Sequence, residues 1–137
     1  MNTIKISGAT INDMTFSIVL DGGEEVTWNV SRIRKAAERG YFGPIVRVPM
    51  ECLPPPDYST GNLELDRIAW IKDHPKVLHE PGLAIGAPDD NGILCTCDGN
   101  HRITALWEMK APHFDVWIVP WKVQHRFRAK IELIKKA

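Results

Sequence analysis

Apolar and polar positions alternate in places along residues 3–7 and 14–20, and Asp21-Gly22-Gly23 then supplies a turn toward residues 26–30. This pattern predicts a small antiparallel unit at the start of the chain. Ser31 is suited to cap a helix running to Arg39, because its hydroxyl can accept from the unpaired amides of a first turn, and Gly40 is a natural stop. Residues 45–49 are short and β-branched and read as a strand. The three consecutive prolines Pro54, Pro55 and Pro56 exclude helix and central strand from residues 52–61, since each lacks an amide donor.

Leu63, Leu65, Ile68, Ala69 and Ile71 then place an apolar side on a helix that must end before His74-Pro75. Residues 83–86 and 93–97 flank Pro88-Asp89-Asp90-Asn91-Gly92, a connection of the kind that closes a hairpin. Past the second of these strands, Ile103, Ala105, Leu106 and Met109 repeat at helical spacing up to Ala111-Pro112, and Phe114, Val116 and Ile118 alternate with Asp115 and Trp117 in a last strand ended by Pro120. In residues 122–136 Val123, Phe127, Ile131 and Ile134 recur at spacings of four, four and three, which predicts an amphipathic C-terminal helix docked through those four residues.

Composition adds limits. A chain of 137 residues, 44% hydrophobic and 25% charged, has the make-up of one globular domain rather than a disordered segment. The longest apolar run, residues 116–121, falls far short of the roughly 20 residues of a membrane span. The first 20 residues lack the pattern of a secretory signal, so a cytoplasmic location and no membrane partner are expected. The three cysteines read as reduced thiols. Cys52, Cys95, Cys97 and His101 are zinc-ligand types, but the C-x2-C pairs usual in structural zinc sites are missing.

Charge is balanced at 17 basic and 17 acidic residues but unevenly placed. From Lys122 onward six basic residues face one acid, Glu132, and a second basic group, Arg32, Arg34, Lys35 and Arg39, faces Glu38 within the first helix. Either group could meet the phosphates of DNA or an acidic protein partner, and either could be a solvated helix face.

The densest chemistry lies where the second hairpin strand runs into Asp98-Gly99-Asn100-His101-Arg102 and a helix begins. Gly99 lets the backbone turn and approach a ligand closely, and the first helical amides carry partial positive charge toward whatever sits there. Arg102 can clamp phosphate oxygens in two-pronged fashion, and His101 can donate a hydrogen bond or shuttle a proton. Asp98 could act as general base or hold Mg²⁺ against phosphates. The same residues also suit a plain helix start, with Asn100 as cap and Arg102 paired to Asp98. Trp107, Trp117 and Trp121 fit core positions as well as base-stacking ones.

The stretch Cys97-Asp98-Gly99-Asn100-His101-Arg102-Ile103-Thr104-Ala105-Leu106, followed by Ala111-Pro112 and a strand, resembles the signature of the ParB/sulfiredoxin superfamily. The likeness extends over residues 45–120, with 46–53 as the opening strand and loop, 63–72 as the first helix and 83–97 as the strand pair. It implies an α+β fold, a mixed sheet with flanking helices, here carrying an N-terminal β-hairpin-type extension (1–44) and a basic C-terminal helix (121–137) on a single domain. It also implies nucleotide phosphate, such as that of ATP or CTP, bound through Gly99, Asn100, His101, Arg102 and Thr104. Asn100 stands where sulfiredoxin has its catalytic cysteine, and the chain lacks the doubled basic motif and helix-turn-helix domain of the partition proteins. The acid-glycine-x-His-Arg form is similar to the kinase-like and nuclease-like members. That form gives Asp98 and His101 catalytic roles, Asp98 a Mg²⁺, and Glu51, from the loop after the first strand, a supporting acid. An ATPase, nuclease or small-molecule kinase activity is the corresponding expectation, with a non-enzymatic plasmid- or phage-type regulator as the alternative.

Overall fold

The computed structural model describes residues 2–89 and 91–135. Asp90 of the expected turn and Lys136 of the expected helix lie outside them. The chain is a mixed α+β protein with two four-stranded sheets. The first sheet has the order β1-β8-β3-β2, built from Asn2–Ser7 (β1), Thr15–Val19 (β2), Glu25–Asn29 (β3) and Arg128–Lys135 (β8). The second has the order β4-β7-β5-β6, from Val46–Pro49 (β4), Gly82–Gly86 (β5), Ile93–Asp98 (β6) and His113–Val119 (β7). Five helices accompany them among the described residues: Val30–Glu38 (α1), Leu65–Lys72 (α2), Pro75–Leu78 (α3), Asn100–Glu108 (α4) and Trp121–Gln124 (α5).

The hairpins β2-β3 and β5-β6 form, but the expected N-terminal extension over residues 1–44 is not self-contained, since β1 pairs with β8, which lies between β1 and β3. β2 pairs with β3 and β5 with β6, each antiparallel, and β5 then runs parallel to β7. β5 is buried at every position because its two faces serve two cores. Leu83 and Ile85 pack with Trp28, Ile33, Val119 and Phe127 toward α1, whereas Ala84 faces Ile68, Ile71, Ala105 and Leu106 of α2 and α4. A central strand covered on both sides reads as a continuous apolar run rather than as alternation.

Helix α1 starts one turn-edge earlier than Ser31 would set it. Its cap is Asn29, fully buried, whose side-chain oxygen accepts from the Arg32 amide at 3.1 Å while its Nδ2 donates to the Gly8 carbonyl and to Asp13 Oδ2, both at 3.0 Å. A buried amide that uses both ends outcompetes a hydroxyl, and Ser31 Oγ instead accepts from the Met14 amide at 2.8 Å.

Over the described residues 122–135 the expected C-terminal helix is not formed. α5 gives a single turn, His125–Phe127 a 3-10 turn, and the chain then enters β8, antiparallel to β1 along its length and to β3 at Thr27↔Ala129 and Trp28↔Arg128. Phe127 is buried and Val123 packs beside it, so those two anchors dock. Ile131 and Ile134 are exposed. The reason is pairing. Residues 128–135 fit a period of two as well as one of 3.6, and the edges of β1 and β3 supply the hydrogen bonds that favour the strand. Gln124 holds the switch point, buried with its Oε1 accepting from Trp28 Nε1 at 2.9 Å and from Arg128 Nε at 3.0 Å.

Candidate functional site at the start of helix α4

β6 delivers Asp98 to the turn, and α4 begins two residues later at Asn100, with Gly99 at the cap position, left-handed at φ 98° and providing no side-chain cap. Only glycine fits here. A Cβ would stand 3.0 Å from Arg102 Nη2 and 3.3 Å from the Gly82 Cα, so the guanidinium of Arg102 lies folded over the turn. The helix start is thus a group of amides without a side-chain acceptor, beside a cation.

The charges form a chain of pairs. Arg34 Nη2, from α1, donates to Asp98 Oδ2 at 2.7 Å and to the Pro81 carbonyl at 3.2 Å. Arg102 Nη1 donates to Glu80 Oε2 at 3.0 Å, and its Nη2 stands 3.8 Å from Asp98 Oδ2, an ion pair beyond hydrogen-bond range. Arg102 is 13% exposed, and its Nη2 is buried with no acceptor among the protein atoms. His113 Nδ1 at the head of β7 is buried and unpaired in the same way. Both residues line one cavity of about 240 Å³, with Glu80, Gly82, Gly99 and Phe114 among its walls. A buried nitrogen without a hydrogen-bond partner is costly, and the two here belong to residues that line one cavity. Neither His113 nor the Asp98-Arg34 pairing was legible in the sequence, because their partners lie far along the chain.

The rest of the motif is engaged locally. Asn100 Oδ1 accepts from Thr96 Oγ1 at 2.8 Å and its Nδ2 donates to the Thr96 carbonyl at 3.3 Å, hooking the helix start onto β6. Buried Thr104 donates to the Asn100 carbonyl at 2.8 Å. His101 Nε2 accepts from the Glu64 amide at 3.1 Å, which ties the start of α2 to the start of α4. Burial holds the His101 imidazolium below the ordinary value of 6.5, the Arg67 cation adds to this, and Glu64 opposes it.

On the side of Asn100 and His101 the motif opens into a cleft of about 550 Å³, roofed by the proline loop and bordered by Asn62 and Arg67. The loop is fastened: Tyr58 donates to Glu108 Oε2 of α4 at 2.6 Å, and Asp57 accepts from the Ser59 amide at 2.9 Å. Glu51 sits exposed in the 3-10 turn Met50–Cys52 and lines none of the cavities around the motif. Trp117 and Trp121 pack on the core, and Trp107 is 42% exposed. Cys97 is buried and Cys95 half-buried, and burial pushes their thiols up to about 12 and about 11, so neither is a thiolate at neutral pH.

The residues do not fit a divalent ion at Asp98 as they stand. Its Oδ2 lies between two guanidinium groups, and among the described residues no three His, Cys, Asp or Glu side chains gather to hold a metal. Comparison of the chain with protein-family models, with curated proteins and with solved structures found no match.

Proposed function

We propose that this is a cytoplasmic binding protein for a phosphate-bearing small molecule, a nucleotide such as ATP or CTP on the resemblance, held at the first turn of α4. The observation that carries the reading is the buried Arg102 Nη2 without an acceptor, set against a helix start that has no side-chain cap. A phosphate oxygen supplies what both lack, and the positive end of the helix and the guanidinium favour it electrostatically. His113, whose Nδ1 also has no partner, lines the same cavity.

Binding without turnover is the primary form of this proposal. Asp98 would serve as a base in an ATPase, nuclease or kinase reaction only after exchanging Arg34 for the reacting group, and that exchange gives up a 2.7 Å charged hydrogen bond. The same pair favours the regulator reading, because Arg34 belongs to the helix that follows the N-terminal sheet and thereby joins that unit to the motif.

Thermal shift with inorganic phosphate, ATP, ADP, CTP and GTP, each with and without Mg²⁺, tests it by mass action. Saturable stabilisation by at least one of them is expected, without a requirement for Mg²⁺. Arg102→Lys, which keeps the charge but loses the fork, should weaken that binding by about 1.5–3 kcal/mol. No stabilisation of the wild-type protein by any of the five removes the reading.

A further inference from the structure

The two basic groups of the sequence, one in α1 and one near the C-terminus, meet on one surface. Arg32, Lys35 and Arg39 follow each other at the three- and four-residue spacings that share a helix face, and Arg126 is brought beside them by the 3-10 turn that ends α5. With Tyr41 and Phe127 they line a groove of about 310 Å³ whose lining, among the described residues, includes no acidic side chain. The ion pairs among the described residues engage Arg34, Arg47, Lys72, Arg102, Arg128 and Lys130, so the four cations of the groove are unmatched by any ion pair, Lys35 acting on the Asp13 carboxylate only at longer range. In a chain of net charge zero, this is a local concentration of positive field and not a property of the whole surface.

Its geometry is fixed. Buried Phe127 lies under the Arg32 guanidinium at 5.9 Å and meets Phe42 edge-on at 5.5 Å. Helix α1 closes in paired bonds from the Gly40 amide to the Ala37 carbonyl and from the Tyr41 amide to the Ala36 carbonyl, both at 3.0 Å. Tyr41 is therefore held at the rim of the groove by the helix end itself, yet its side chain is left 73% exposed. A large aromatic face kept in water beside four cations serves no purpose in the core.

We propose that this groove binds single-stranded nucleic acid, with backbone phosphates on Arg32, Lys35, Arg39 and Arg126 and a base stacked on Tyr41. Unmatched cations call for a polyanion, and the exposed ring selects a strand whose bases are unstacked, since a duplex offers its bases no free face. The surface is separate from the α4 site, so the two readings stand or fall independently.

Fluorescence anisotropy with a labelled oligothymidylate of about 12 nucleotides, within the range of single-strand site sizes, tests the proposal. Four phosphate contacts at ~0.7 each predict a slope of log K against log salt of about −2.8. Lys35→Gln with Arg39→Gln, both at exposed positions, should halve that slope without lowering the melting temperature. Tyr41→Ala should weaken binding about fivefold or more with the slope unchanged, and Tyr41→Phe should restore it. Equal or tighter binding of a duplex of the same length, equally effective competition by an acidic peptide, or a slope untouched by the paired glutamines each overturns the assignment, as does no binding at low salt.

Discussion

His101 shows how one side chain can be read for chemistry and used for structure. Its neutral ring accepts the Glu64 amide through Nε2, and protonation of that nitrogen would destroy the acceptor. Because the folded value is depressed below 6.5, the unfolded chain takes up the proton first. The stability due to neutral His101 is therefore whole above pH 6.5 and is lost as pH falls through the folded value. Chemical denaturation across that window should show a wild-type decline that His101→Gln lacks, since glutamine keeps an acceptor that does not titrate. Parallel pH curves for the two proteins would contradict it.

At the scale of elements, the decisive case is β8. Four apolar residues at helical spacing occupy residues 123–134, but the outcome follows from what each half can bond: Gln124 and Phe127 enter the core, and residues beyond them complete a sheet. The cations of this segment are consequently unequal. Arg128 donates to Gln124 and pairs with Glu24 at 3.6 Å, whereas Lys130 is 73% exposed and pairs only along its own strand with Glu132. Arg128→Glu should lower stability by about 1–3 kcal/mol, through a lost charged hydrogen bond and a new repulsion with Glu24, while Lys130→Glu should stay within ~0.5 kcal/mol. Urea midpoints of the two single variants decide this, and equal effects would mean that β8 is not seated as described.

The whole molecule is joined through α1 and β5. Val30, Ile33 and Ala37 bury one side of α1 against Leu83 and Ile85, and Arg34 beside them reaches Asp98, so the N-terminal sheet and the motif share one core. Arg34→Met keeps the aliphatic stem near Trp117 but removes the hydrogen bonds to Asp98 and Pro81. It should cost about 1.5 kcal/mol, the lower end for a charged hydrogen bond because about a quarter of each partner is open to solvent. A calorimetric melt should show one lowered transition. Two separated transitions would mean that the N-terminal unit folds by itself, and α1 is then only a linker.

Much of this was legible in one dimension. Local signals gave both hairpins, the helices after residues 29, 64 and 99, and the proline loop, because turn residues, caps and apolar periodicity act within a few residues. The Asp98-to-Arg102 segment also declared itself, since only glycine turns a strand into a helix start of this kind. What sequence left open was everything decided by partners distant in the chain. The strand at residues 128–135 depended on the β1 and β3 edges, and the placement of Arg102 on Glu80 and of Asp98 on Arg34 depended on which acid the tertiary fold sets beside each cation. The orphaned nitrogens of Arg102 and His113 and the union of two basic clusters in one groove are likewise products of tertiary packing, for burial and proximity are not properties that a residue carries by itself.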